Sequence, residues 1–204
     1  MGVQERKARQ KQELRQDILD AATELFVEEG FDSVSMRKIA DRIEYSPATI
    51  YLHFRDKDDL LDNICADTFV NLLGILESLA NEHPDPVDGL RAGLRAYIGF
   101  GLEHPNHYRV TFMTAHWPNC ETGTPCRSDE TGERAFSFLR DGVAACVQAG
   151  QFRSVDLEVT SQTLWAAIHG LTSLLITCSL FPWADREVLI DSLLDTLIGG
   201  LRIQ

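Results

Sequence analysis

No apolar run in this chain approaches the roughly 20 residues that a membrane-spanning helix needs. It has no Gly-x-Ser-x-Gly elbow, no phosphate loop, no His-Glu-x-x-His pair and no dinucleotide glycine pattern, so an enzyme is not expected. Strand-like alternation and internal repeats are missing as well. The opening MGVQERKARQKQELRQ lacks the apolar centre of a secretory signal. Arg6 stands where a myristoylation signal wants Ser or Thr. Cysteines are few and odd in number, five at positions 65, 120, 126, 146 and 178. They read as reduced thiols of a cytoplasmic protein rather than a disulfide frame.

Positive charge is also in short supply, with a formal net of −12 over 204 residues. Its distribution matters more than its sum. Residues 1–15 carry five basic side chains (Arg6, Lys7, Arg9, Lys11, Arg15) against Glu5 and Glu13. Residues 16–60 net −6 and residues 61–204 net −9. Salt limits the reach of exposed charge to about 8–10 Å, so an acidic body does not exclude contact with a polyanion through a basic segment. It does imply weak non-specific affinity for nucleic acid.

What is present is a strong helical period. The stretch SMRKIADRIEYSPATIYLHFRDK, residues 35–57, reads as two short helices and the start of a third. Ile39, Ala40 and Ile43 share one face of the first, and Ile50 and Phe54, four apart, share one face of the second. Between them Ser46 is placed to cap free N–H groups and Pro47 suits the first helical position. The second helix is too short to bury itself, and it turns Ala48, Thr49, Tyr51, Leu52 and His53 outward. Small, hydroxylated and aromatic side chains on a short buttressed helix suit the major groove. The pattern is a helix-turn-helix.

Residues 14–60 resemble the DNA-binding domain of TetR-family transcriptional repressors. The resemblance rests on Leu25, Phe26, Gly30 and Phe31, then Ser35 with Ile39 and Ala40, then Tyr51 and Phe54, then Lys57 and Leu60. It implies phosphate or base-edge roles for Ser35 and Arg37, and a recognition helix bearing Ser46, Ala48, Thr49, Tyr51, Leu52 and His53. It also makes Lys57 a phosphate-contacting lysine. One position departs from the family, which usually has Gly-Val or similar in the turn where this chain has Glu44-Tyr45. A positive φ at Glu44 would cost on the order of 1–3 kcal/mol.

Residues 1–13 are polar and basic without a core face, and are expected to be a disordered arm that either touches DNA or merely aids solubility. A first helix is expected over 14–29, ending at Gly30, and a long helix over 56–81 linking the head to the remainder. Glu82-His-Pro-Asp-Pro86 is a strong breaker. Helices are then expected over 87–103, from 105, and from 128 to 150, the last two separated by a loop through residues 117–127. The final two, 157–178 and 186–203, are the most apolar. The segment TLWAAIHGLTSLL resembles the Trp-x-x-x-His-Gly signature of one TetR subgroup, which implies a C-terminal ligand-binding and dimerisation domain.

The expected architecture is therefore all-α: an arm over 1–13, a three-helix DNA-binding domain over 14–60, and a helical effector-binding and dimerisation domain over 61–204. A homodimer is expected through Leu164, Ile168, Leu171, Leu175, Leu189, Leu193, Leu194, Leu197 and Leu201, because two apolar faces suit burial on both sides. An apolar or aromatic effector is expected among Phe100, Phe112, Met113, Trp117, Phe136, Trp165 and His169, with His169 as a polar handle or a core histidine. No cofactor and no membrane partner are expected. His104, His107, His116, Cys120 and Cys126 offer metal-ligand chemistry but match no compact zinc spacing, so no metal site is assigned. The resulting reading is a dimeric repressor of a palindromic operator released by a small effector. The alternative is a DNA-binding regulator controlled by a partner protein or by metal or redox state.

Overall fold

The computed structural model describes residues 2–80, 82–114 and 126–203. Among them every regular element is helical, apart from an isolated bridge between Phe152 and Arg202. The chain forms two units, residues 1–68 with 106–130 and residues 69–105 with 131–204.

In the first unit, α1 (Val3–Glu29) is followed by a 3-10 turn, Phe31–Ser33, then α2 (Met36–Arg42), α3 (Pro47–Tyr51) and the first half of α4 (Lys57–Ala80). Ile18, Ala22, Ile39, Ala40, Ile50, Phe54 and Leu60 form its fully buried centre. Burying each large aliphatic side chain contributes about 1.5–3 kcal/mol, so this centre holds three short elements that could not persist alone. The residues expected as an arm lie within α1, which runs without a break from Val3. Its first turns are built of good helix formers, Glu5 closes a bond to the Gly2 N–H at 2.8 Å, and Arg9 pairs with Glu13 one turn on. Gly30, at φ +82°, ends the helix with its N–H on the Phe26 carbonyl.

The turn between α2 and α3 is set by backbone geometry. Glu44 has φ +60°. Its N–H donates to Asp41 O at 3.3 Å, while the Tyr45 N–H donates to Ala40 O at 3.0 Å. These are the paired bonds of a Schellman cap, whose left-handed residue is usually glycine. Ser35 and Ser46 cap α2 and α3, accepting from the Lys38 and Thr49 N–H groups at 3.2 and 3.3 Å.

A polar cluster fastens the start of α7 (Arg127–Gln148) within this unit. Asp62 of α4, only 7% exposed, accepts from the Ser128 N–H at 2.9 Å, the Ser128 hydroxyl at 2.7 Å and the Arg127 N–H at 3.2 Å. It thereby caps a helix 65 residues away in sequence, satisfying donors that α7 cannot satisfy itself. Asn63 beside it accepts from both Arg15, at 2.7 Å, and Arg127. After α6 (Pro105–Tyr108), a π-helical turn over Arg109–Met113 adds Val110 to the same core.

In the second unit, α5 (Pro86–Glu103) packs along α8 (Leu157–Thr177) and α9 (Arg186–Gly199). Asp85, Asp156 and Asp185 cap the three helices through backbone N–H groups. Arg91 bridges Asp191 at 2.8 Å and Asp195 at 2.6 Å, and Arg95 bridges Asp191 at 2.8 Å and also Glu187, so α9 is clamped to α5 by two guanidinium forks. At Gly132 of α7 a Cβ would stand 3.2 Å from the Phe69 ring, a close approach that only glycine accommodates freely.

The cysteine expectation is corrected in part. Cys65, Cys146 and Cys178 are free thiols, but Cys126 is disulfide-bonded. Burial pushes the Cys65 thiol up to about 12 and the Cys146 thiol up to about 11, so both stay protonated and behave as small core residues.

Candidate nucleic-acid interface and effector site

The outward side of α3 carries the expected contact residues. Tyr51 is 56% and Leu52 79% exposed, while Ala48 is exposed and Thr49 and His53 are half-buried. Tyr51 and Leu52 thus stand side by side in water at the C-terminal end of this five-residue helix. Ser46 and Thr49 hydroxyls lie 2.9 Å apart, which orients both. Ser35 and Arg37 are exposed at the start of α2, and Arg37 reaches Asp41 only at 4.0 Å. Its guanidinium therefore remains available.

Two features of this face were not found in the sequence reading. Tyr45, in the turn, is 48% exposed beside the recognition helix. His53 has its pKa lowered, first by burial and then by the nearby positive charges of Lys11 and Arg15. Arg15 itself lies 5.1 Å over the Phe54 ring. The long-range approach of α1 to the end of α3 has no local sequence signal.

Lys57 has a structural role beyond the one expected of it. Its ammonium donates to Phe31 O at 2.6 Å and Val34 O at 2.9 Å. It thus ties the start of α4 to the turn that leads into α2.

The residues expected around an effector divide between the units. Phe112 and Met113 are half-buried in the first, where the Phe112 ring lies 4.9 Å from that of Tyr108. Trp117 lies outside the described residues, as do His116 and Cys120. In the second unit Phe100 is buried, its ring 5.0 Å from His104. Phe136, Trp165 and His169 do come together: the Phe136 and Trp165 rings meet edge to face at 6.2 Å, and Trp165 and His169 lie 6.0 Å apart. Tyr97 of α5, which the sequence reading did not single out, joins them. Trp165 Nε1 donates to Tyr97 Oη at 3.1 Å, and Tyr97 Oη lies 3.5 Å from His169 Nδ1. Burial lowers the His169 pKa, which favours the neutral ring. Trp165 is still 39% exposed, so this aromatic and polar group has an open side. Among the described residues no group of three or more His, Cys, Asp or Glu side chains is placed to hold a metal ion. No described helix is long and apolar enough to cross a membrane.

The nine positions expected at a dimer interface are not equivalent. Leu164 and Ile168 are 2% exposed and Leu194 is fully buried within the single chain. Those three belong to the protomer's own core, because α8 and α9 turn one face each toward α5. Leu171, Leu175, Leu189, Leu193, Leu197 and Leu201 are half-buried and keep area to offer.

A three-helix core that presents a short capped helix across a Schellman turn, with its last helix running on into a second helical unit, defines a helix-turn-helix protein of the DNA-binding class. Residues 18–64 match the model described as bacterial regulatory proteins, tetR family, and residues 90–197 match the tetracyclin repressor-like C-terminal domain. The chain belongs to the TetR family and is a transcriptional regulator of the TetR type. It is similar to the uncharacterized HTH-type transcriptional regulator YhgD of Bacillus subtilis (strain 168), 25% identical over 189 residues and 91% of each chain. It also resembles the HTH-type transcriptional regulator HbdR of Aromatoleum sp. (strain CIB), 35% identical over 79 residues, 39% of this chain and 31% of that one. The crystal structure of the transcriptional regulator FadR from Bacillus subtilis in complex with stearoyl-CoA shares the fold. It has a TM-score of 0.78 and 21% identity, covering 92% of this chain and 99% of that one.

Proposed function

We propose that this protein is a cytoplasmic repressor that binds a palindromic operator as a homodimer and is released by a small apolar effector. The observation that carries the DNA reading is the exposed recognition helix, with Tyr51 and Leu52 standing in water beside Ala48 and Thr49. Thymine methyls suit Ala48 and Thr49, guanine O6 and N7 suit Arg37, and Tyr51, His53, Ser35 and Ser46 reach phosphate oxygens. Two such helices about 34–36 Å apart would read successive major grooves. Lys57 acts on phosphate only through whatever its two internal bonds leave free.

The dimer would form through the half-buried leucines of α8 and α9. Leu193→Glu should give a folded monomer by light scattering, while Leu194→Glu should unfold the second unit, because it buries an unpaired charge in the protomer core. A dimer that persists in Leu193→Glu would move the interface elsewhere.

The effector would enter at Phe136, Trp165 and His169, whose open aromatic side suits an apolar body and whose Tyr97–His169 pair suits one polar end. The stearoyl-CoA held by the Bacillus subtilis neighbour makes long acyl thioesters the first class to test. Selecting bound duplexes from a random pool should yield an inverted repeat, and an acyl-CoA series should release it, with Trp165→Ala insensitive. Release by every compound alike in the wild type and Trp165→Ala would reject this pocket. Binding to no duplex at all would reject the DNA reading.

A further inference from the structure

Along α1 the side that faces inward changes its chemistry. From Ala22 and Leu25 back to Ile18 it is buried and apolar. Seven and eleven residues before Ile18, two and three helical turns, stand Lys11 and Lys7 on that same side. Both are exposed, and neither has an acidic partner within ion-pair distance among the described residues. On the other side Arg9 is paired with Glu13 at 3.2 Å. At 1.5 Å per residue Lys7 lies about 16 Å along the axis from Ile18, well past the core. The helix therefore projects a basic inner face over ground that no described part of the chain covers.

The position of that face is set by Arg15. Its guanidinium bonds Asn63 at 2.7 Å and lies 5.1 Å over Phe54, so the stripe Arg15, Lys11, Lys7 sets out from beside the C-terminal end of α3. Lys11 is close enough to His53, just past the end of the recognition helix, to act on its charge. The rest of the head is acidic, net −6 over residues 16–60, so a basic stripe here is a local exception. It also precedes the family-matched segment, which begins at residue 18.

We propose that Lys7 and Lys11, held on the projecting helix, bind the sugar–phosphate backbone of duplex DNA flanking the half-site that α3 reads. The extension lengthens the footprint of each head without reading sequence, and it compensates for the acidic charge of the remainder. This rests on the DNA-binding reading above.

The test uses the full-length protein and its selected operator in two lengths, one trimmed to the half-sites and one extended by about one helical turn at each end. Affinity is measured against salt concentration. The wild type should bind the longer duplex more tightly and with a steeper salt dependence, by about 0.9 in the log–log slope for each lysine engaged. Lys7→Gln/Lys11→Gln should bind both lengths alike while keeping the wild-type affinity for the trimmed duplex. Gln10→Pro, which breaks the projecting helix without changing charge, should lose the same gain. Equal wild-type slopes on the two lengths, or a gain that survives the double substitution, would overturn the proposal. A gain that survives only Gln10→Pro would overturn the helical ledge in favour of a loose tail. Wild-type protein that binds neither duplex rejects the DNA-binding reading itself, a separate failure.

Discussion

The Lys57 ammonium lies 4.1 Å from the centroid of the Phe31 ring and donates to that residue's own carbonyl oxygen at 2.6 Å. One charge thus holds both the face and the backbone of a residue 26 positions away. With Val34 O as its second acceptor, it closes the turn that aims α2.

Lys57→Met should therefore lower the unfolding free energy of the DNA-free protein by about 2 kcal/mol, since each hydrogen bond to a charged group contributes roughly 1.5–3 and solvent replaces part of it. Urea denaturation without DNA reads this directly. An unchanged midpoint would leave the lysine with a DNA role alone.

Glu44 occupies a left-handed backbone position that glycine takes without strain. Glu44→Gly should stabilise the head by about 1 kcal/mol, the part of the 1–2 kcal/mol left-handed penalty that survives glycine's greater unfolded-state entropy. A rise in the thermal midpoint would bear this out, and a fall would place the strain elsewhere.

Asp62 is buried, and it caps α7 from α4 through three donors. Asp62→Ala leaves the Ser128 and Arg127 N–H groups without their acceptor and should lower stability by about 2–4 kcal/mol. Hydrogen exchange should speed at residues 127–130 before anywhere in α2 or α3. Uniform exchange would mean that the cap holds nothing in particular.

His169 makes the pH dependence signed. Burial holds its folded pKa below the ordinary 6.5. As pH falls through 6.5 the unfolded chain gains a proton that the folded chain declines, so stability falls across the window between 6.5 and the depressed folded value. Above 6.5 the ring is neutral in both states and contributes no slope. Subtracting the stability curve of His169→Gln from that of the wild type should isolate this loss. A difference that stays flat below 6.5 would refute it.

The helix order among the described residues, the breaker at 82–86 and the two halves of the DNA-binding motif could be read from residue spacing. Capping, proline placement and the 3.6-residue period act within a few positions of one another, so a sequence carries them openly. Ser35, Ser46 and Asp85 cap the helices whose starts they mark. The left-handed turn at Glu44 could be anticipated because its family counterpart is usually glycine.

Other features depended on which faces meet. Leu164, Ile168 and Leu194 carry the same apolar chemistry as Leu171 and Leu193, and only the placement of α5 decides which of them a second copy could touch. Tyr97 does not stand out until α8 brings Trp165 and His169 to its hydroxyl. Asp62 and Ser128, 66 positions apart, have no local signal of their bond. Local sequence determined the helices, the caps and the short exposed recognition helix. Tertiary packing alone decided which leucines face inward, where Lys57 spends its charge, and that α1 carries its lysines past the core beside His53. The reason is range: propensity and capping are settled over one or two turns, whereas burial and charge pairing depend on neighbours that the chain brings back from far away.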